Sequence, residues 1–282
     1  MVTSFDIIEP TSIGTAVAKT QLGTITKPTE SAQLIEVIPY QAPTGAITAG
    51  ESFLSETAIE SNSINLLPKR FINPPITSGL GTAPSCIIPM LEAYECFTPL
   101  TQGGTEQIQA YGQAQVANTA GLVIGVDFHF SDNAPSQAEQ FYTKPDNETA
   151  TGTTATTVAG NTITVNGGTM LTKLYPVITG GVVTASQSYI ATMQFNSNDF
   201  GSSQALEVPC QPIGTALGSN IGTGIPKMAS YKNVNMPMKS SCTINTVLRL
   251  SEALTASGNF VGGISYQKWV WKYFYLSFFI YK

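Results

Sequence analysis

The sequence predicts an all-β protein, a sandwich of antiparallel strands of the jelly-roll kind. Three observations carry that expectation. Apolar residues recur at every second position in segment after segment, which is the period of a strand and not of a helix. Twenty-five glycines and seventeen prolines break the 282-residue chain into short pieces joined by turns and irregular connections. Charged residues make up only 11% of the chain, against a usual share of about 25%, and Thr, Ser, Gly, Asn and Gln stand in their place. The hydrophobic fraction of 42% is enough to fill a core.

The elements follow in chain order. AQLIEVIPY (32–40) is a strand candidate, and SFLSETAIESN (52–62) reads as a short helix. KRFINPPITSGLGTAPSCIIP (69–89) reads as a long irregular connection. The clearest alternation lies in EQIQAYGQAQV (106–116), where Ile108, Ala110, Gly112, Ala114 and Val116 oppose an amide-rich face. GLVIGVDFHF (121–130) puts Leu122, Ile124, Val126, Phe128 and Phe130 on one face. With the turn-prone Asn118–Gly121 between them, the two segments predict a hairpin. SQAEQFYTK (136–144) has Ser136 and Glu139 spaced as a capping box, which predicts a short helix ending at Pro145.

The stretch 146–169 is polar and low in complexity, and reads as an exposed loop or small hairpin, with strand character in NTITVNG (161–167). MLTKLYPVIT (170–179), SYIATMQFN (188–196) and CTINTVLRL (242–250) are further strands.

The segment WVWKYFYLSFFIYK (269–282) holds eight aromatic residues in fourteen. It is too short to span a bilayer as a helix and carries Lys272. With strand spacing, Trp269, Trp271, Tyr273 and Tyr275 share a face. Two readings stand: a core strand that closes a sheet, or a contact with a neighbouring subunit or a membrane surface.

Catalytic signatures are missing from the spacing. His129 is the one histidine, and Asp127 two residues before it shares its strand face. The pair reads as an ordinary solvent-facing surface before it reads as the start of an acid–base or metal site. The sequence has no G-x-S-x-G, no P-loop and no H-E-x-x-H. SGLGTAPS (78–85) lacks the lysine of a phosphate loop, and Glu92 and Glu95 around Tyr94 are one chance pairing among eighteen acids. Cys86, Cys96, Cys210 and Cys242 show no C-x-x-C spacing and read as buried thiols, with a Cys86–Cys96 bridge left open. No cofactor, no metal and no enzymatic activity are expected. Asn147-Glu148-Thr149 is a glycosylation acceptor in sequence. The net charge of −5 and the scattered Lys and Arg argue against direct nucleic-acid binding. MVTSFDIIEP has no basic patch followed by an apolar stretch, so no secretory leader is expected.

In composition and strand rhythm the chain resembles the jelly-roll major capsid proteins of icosahedral, membrane-containing DNA viruses, including those of archaea. That resemblance implies jelly rolls standing on a shell, and a structural subunit that associates with itself as a trimer or pseudo-hexameric capsomer. It also implies contact with other capsid proteins and an inner viral membrane, assembly in the host cytoplasm, and residence in the virion. Double jelly-roll members usually run longer than this chain, so a single jelly-roll domain over 1–282, with long loop insertions and an exposed polar loop or hairpin near 146–169, is expected ahead of a double roll. The alternatives are a cell-surface or appendage β-protein of the adhesin or pilus kind, and a glycan-binding or glycan-hydrolysing β-sandwich. One physical expectation follows from the low charge. If the acids are exposed and unpaired, stability changes little as pH falls.

Overall fold

The computed structural model describes residues 2–15, 17–45, 52–61, 63, 69–74, 76–78, 86–87, 93–115, 117, 120–144, 148–150, 156–165, 168–182, 188–189, 191–198, 200, 205–209, 213–214, 232–238, 242–250 and 256–268. Every regular element among them is a strand. The first half contains β1 (Ser4–Gly14), β2 (Thr20–Thr26), β3 (Gln33–Pro43), β4 (Ser52–Phe53), β5 (Ser55–Glu60), β6 (Lys69–Ile72), β7 (Ile76–Ser78), β8 (Cys86–Ile87), β9 (Tyr94–Pro99), β10 (Gln107–Ala114) and β11 (Leu122–Ser131). The second contains β12 (Gln140–Thr143), β13 (Glu148–Ala150), β14 (Thr156–Val165), β15 (Thr169–Val182), β16 (Ser188–Tyr189), β17 (Ala191–Asn196), β18 (Ala205–Pro209), β19 (Ile213–Gly214), β20 (Lys232–Met238), β21 (Cys242–Leu250) and β22 (Ala256–Lys268).

The expected all-β, antiparallel jelly-roll architecture is present. One sheet runs β1-β11-β3-β9 and faces a second that runs β2-β10-β5-β6. Counted along the eight long strands of this half, the first sheet takes the first, eighth, third and sixth, and the second takes the second, seventh, fourth and fifth. That is the winding of a jelly roll, in which the chain passes from sheet to sheet and closes the sandwich. The same order recurs in the second half: β12-β22-β15-β20, with β13 also on β22, and β14-β21-β17-β18. The count of rolls therefore differs from the single roll ranked first above. In the polar stretch near 146–169, β13 pairs with β22 and β14 with β21, and β14 includes residues 161–165, where the sequence shows strand character. Thr-rich strands carry no clean apolar alternation, so their pairing was hidden in the sequence.

The core of the first roll is built from facing rows. Leu122, Ile124, Val126, Phe128 and Phe130 of β11, with Leu34 and Val37 of β3, meet Ile108, Ala110 and Ala114 of β10, Leu22 and Ile25 of β2, Ile59 of β5 and Phe71 of β6. Each large side chain buried in this way contributes about 1.5–3 kcal/mol.

This packing corrects the expected hairpin. β10 and β11 are both strands, but they do not pair. β10 lies between β2 and β5, and β11 between β1 and β3. The small face of β10 fits under the large face of β11 across the sandwich. A methyl group on Gly112 would sit 2.9 Å from both Ile124 Cδ1 and Leu22 Cδ2. The two alternations match because the strands stack face to face, not edge to edge.

Both expected helices are also strands. Residues 55–60 form β5, hydrogen-bonded between β10 and β6, with Ser55, Glu56, Thr57 and Ile59 buried. Burial on both faces overrides the local helical preference. In 136–144, Glu139 pairs with Lys69 at 2.9 Å, while Gln140–Thr143 pairs with β22 as β12.

Candidate functional site

Two places collect polar chemistry: the junction between the rolls, and the outer face of the β1-β11-β3-β9 sheet. The junction forms where β6 and β9 of the first roll meet β12 and β15 of the second. Phe71, Tyr94, Tyr142 and Tyr175 pack as one aromatic cluster, with ring centroids 4.9–6.2 Å apart. Tyr142 Oη donates to the Glu95 carbonyl at 2.7 Å, and Tyr94 Oη to the Ile72 carbonyl at 2.5 Å.

Charges beside the cluster are buried and paired. Glu56 accepts from Arg70 Nη2 at 2.9 Å and lies 2.6 Å from Lys144 Nζ, which also donates to Gln115 Oε1 at 2.9 Å. Lys69 Nζ bonds Glu139 Oε1 and the Gln140 carbonyl, both at 2.9 Å, and stands 4.1 Å above the Phe141 ring. Burial pushes the Tyr142 phenol far above its ordinary value, with Tyr175, Cys96 and Tyr94 adding to the effect. Burial likewise pushes the Cys96 thiol up to about 12. Cys96 is a free thiol, so it forms no bridge with Cys86. The recess at the junction, lined by Arg70, Tyr94, Tyr142 and Tyr175 among others, has room for about one water molecule. The junction is a lock between rolls.

The outer face is different. Antiparallel register brings Phe5, His129 and Glu36 into one row across the strands, and Ile7, Asp127 and Ile38 into the next. Tyr40 stands opposite Gly125, and a methyl group on Gly125 would fall 2.2 Å from its ring. The absence of a side chain there lets the ring lie flat on the sheet. His129 sits between two carboxylates, with Nδ1 3.2 Å from Glu36 Oε2 and Nε2 3.2 Å from Asp127 Oδ2. A ring protonated on both nitrogens donates to both. Asp127 Oδ1 is buried without a hydrogen-bond partner. Burial, then the carboxylates of Glu9 and Asp127, raises the Tyr40 phenol above its ordinary value. Toward the second roll, Glu95 lies opposite Glu36 and 3.7 Å from Lys173 Nζ. At the far edge, Phe5 is 76% and Ile7 44% exposed.

The structure therefore brings Asp127 and His129 together on the solvent side, as their spacing indicated. It adds Glu36, which is 93 residues from His129 in sequence. No short-range signal could have joined them. Phe5, Ile7 and Tyr40 were also missed, although the alternation in SFDII was there to be read. Trp269, Trp271, Tyr273, Tyr275, Glu92 and Asn147 lie outside the described residues.

No protein-family model matches the chain, and no curated protein matches it. Solved structures do. The N-glycanase PNGase F, a glycosylasparaginase from Flavobacterium meningosepticum, aligns with 94% of this chain and 96% of its own at 10% identity and a TM-score of 0.49. The STIV major capsid protein aligns over 98% of both chains at 7% identity and a TM-score of 0.43. The VP2 subviral particle of infectious bursal disease virus aligns with 85% of this chain and 62% of its own, at 7% identity and a TM-score of 0.25. At these identities the likeness concerns fold alone. It nevertheless corrects one expectation. The sequence reading excluded enzymatic activity because short motifs were missing, yet structures of an amidase align along nearly the whole chain. Missing motifs do not exclude catalysis for this chain.

Proposed function

We propose that this chain is a shell subunit that self-assembles into the capsid of an icosahedral virus, with capsomers of three copies. The observation that carries the reading is the outer face of the β1-β11-β3-β9 sheet. Phe5 and Ile7, an exposed aromatic and an exposed aliphatic side chain, sit on β1, the edge strand of that sheet among the described residues. Two rolls per copy give three copies a ring of six similar units, the packing unit of a pseudo-hexagonal lattice. The ion-locked junction supports this, because a lattice needs its two rolls held at a fixed angle. The low-charge surface supports it too, since hydroxyls and amides cost less to desolvate than ions. Residence in the virion, other capsid proteins as neighbours, an inner viral membrane and an archaeal host belong to the same proposal. Light scattering and negative-stain microscopy of the purified protein test it. Trimers or larger closed particles are expected; a monomer at high concentration that forms no particle would overturn it.

A second reading is glycan hydrolysis, favoured by the partly exposed Glu36–His129–Asp127 trio, which sets two carboxylates around an acid–base side chain. Its test is release of glycans from glycoproteins, with loss of that activity in Asp127→Asn.

A further inference from the structure

We propose that Lys144 and Gln115 join in an isopeptide bond, Nζ to Cδ, which ties the second roll to the first covalently with Glu56 as the proton carrier, an inference that stands apart from the shell reading. Lys144 Nζ lies 2.6 Å from Glu56 Oε2 and donates to Gln115 Oε1 at 2.9 Å. The carbon that bears this oxygen is one C=O bond away, so Nζ is roughly 3–4 Å from Gln115 Cδ. Bound reactants are poised to react at about 3–3.5 Å. All three residues are buried, so the lysine meets the amide with little competition from water. Gln115 Nε2 is itself buried without a hydrogen-bond partner. A buried donor left unpaired costs stability, and the reaction expels that very atom.

The backbone holds the three residues in place. Gln115 follows the end of β10, and its N–H donates to the Leu54 carbonyl at 2.7 Å. Glu56 lies on β5, opposite Gln113 of β10 on one side and Ile72 of β6 on the other. Lys144 follows the end of β12, and its carbonyl accepts from Arg70 Nη1 at 3.3 Å. Arg70 Nη2 also donates to both oxygens of Glu56 at 2.9 Å, which fixes the carboxylate against Lys144. Three lysines are buried among the described residues, Lys27, Lys69 and Lys144. Lys27 faces Glu106, and Lys69 faces Glu139 and the backbone carbonyl of Gln140. Lys144 is the one of the three that meets a side-chain amide.

The chemistry balances within the site. Glu56 Oε2 takes a proton from the ammonium group, and the freed lone pair on Nζ attacks Gln115 Cδ. The Nζ–Cδ bond forms as the C=O electrons move onto Oε1. When they return, the Cδ–Nε2 bond breaks. Nζ gives up two protons in all, and the carboxylate passes both to Nε2, which departs as an ammonium ion. Glu56 ends as the carboxylate it began as, with Arg70 still its partner. One amide replaces another, so no oxidant, reductant or co-reactant is needed, and loss of ammonium to solvent makes the exchange one-way. Gln115 and Lys144 are 29 residues apart in sequence. Only the fold brings them together, so freshly folded protein holds the ion pair and the bond follows.

The test is the intact mass of the full-length protein. Chain recovered from inclusion bodies in urea should show the full mass of its sequence. After refolding and incubation it should be lighter by one ammonia, and tryptic digestion should release one linked peptide that holds both Gln115 and Lys144. The linked form closes a loop in the unfolded chain and should melt about 7–14 °C above the freshly refolded form. An unchanged mass in incubated, folded protein would overturn the proposal. A lost ammonia with no linked peptide, the mark of a succinimide at an asparagine, would overturn it too, as would a link between other residues. Two variants check the roles by mass and not by stability. Gln115→Met keeps the Glu56–Lys144 pair and removes the electrophile, and Glu56→Gln removes the proton carrier. Each should keep the full mass of its own sequence under conditions where circular dichroism shows it folded, and loss of ammonia from either at the parent's rate would overturn the assignment. Where a variant does not fold, the mass of the parent decides.

Discussion

Replacing Glu56 by Gln tests whether the junction holds the two rolls together by charge. The Glu56 side chain is 5% exposed and faces Arg70 at 2.9 Å and Lys144 at 2.6 Å. Arg70 is 34% exposed and can turn part of its guanidinium to water, so its share of the loss is small. Lys144 is 1% exposed and has no such escape. Its ammonium group would remain buried beside a neutral amide. Taking the nearest carboxylate from a buried ammonium costs up to about 3–5 kcal/mol. Whole domains have only about 5–15 kcal/mol to lose. For a chain of this size each kcal/mol moves the melting temperature by about 2–4 °C, so the fall is on the order of 6–20 °C. Circular-dichroism melts and urea titrations read it directly. Adding Lys144→Met should recover most of the loss, because the double variant removes the buried ammonium together with its nearest carboxylate. A single variant within about 1 kcal/mol of the parent, or a double variant no better than the single, would refute the reasoning.

Three further outcomes are expected. Alkali should destabilise the fold from about pH 9 upward. The Cys96 thiol is raised from 9.0 to about 12 and the Tyr142 phenol lies above its ordinary 10.0, so the unfolded chain loses these protons first. Their stabilisation is complete below the unfolded values and drains as pH climbs toward the folded ones. By pH 11 the thiol alone accounts for about 3 kcal/mol, and a melting temperature flat from pH 8 to 11 would contradict this. Gly112→Val should overpack the core between Ile124 and Leu22 and cost about 1–3 kcal/mol, read by urea titration. Tyr142→Phe should remove the bond to the Glu95 carbonyl and cost about 1–3 kcal/mol; hydrogen exchange at β9 and β12 should rise in that variant more than exchange at β17.

Much of the fold was legible because strands sort residues by twos. The alternations read in 32–40, 106–116, 121–130, 170–179 and 242–250 correspond to β3, β10, β11, β15 and β21. Pairing was not legible, because alternation marks a face and not a partner. β10 and β11 have matching faces that serve equally for a hairpin and for packing across a sandwich. Only the small residues Ala110, Gly112 and Ala114 hint at the second arrangement, through the room they leave for Ile124. The second roll was obscured for a related reason. β14 contains Thr156, Thr157, Thr162 and Thr164, and hydroxyl-bearing side chains look alike on an exposed strand and in a polar loop. At the site, Asp127–His129 was visible at a separation of two, while Glu36, Phe5 and Ile7 join it only through the register of β11 with β3 and β1.

The scarcity of charge in the sequence suggested acids that stand apart in water, and hence a fold indifferent to acid. Several of them do not stand apart. Glu56, Glu106 and Glu139 are 5%, 15% and 18% exposed and face Lys144, Lys27 and Lys69, whose side chains are 1%, 0% and 0% exposed. A chain with few ions has put several of them where water cannot replace a lost partner. Substituting Glu56 takes from the buried Lys144 ammonium its carboxylate at 2.6 Å. The neutral surface and the charged junction then have separate roles. The hydroxyls and amides outside keep the molecule wet at little cost to contact with neighbours. The ion pairs inside fix how one roll sits on the other, because Glu56 of the first roll and Lys144 of the second can be satisfied together in only one alignment. A shell built of two-roll blocks depends on that alignment. On the shell reading proposed above, the Glu56→Gln variant should therefore fail to form regular particles at temperatures where each of its rolls is still folded.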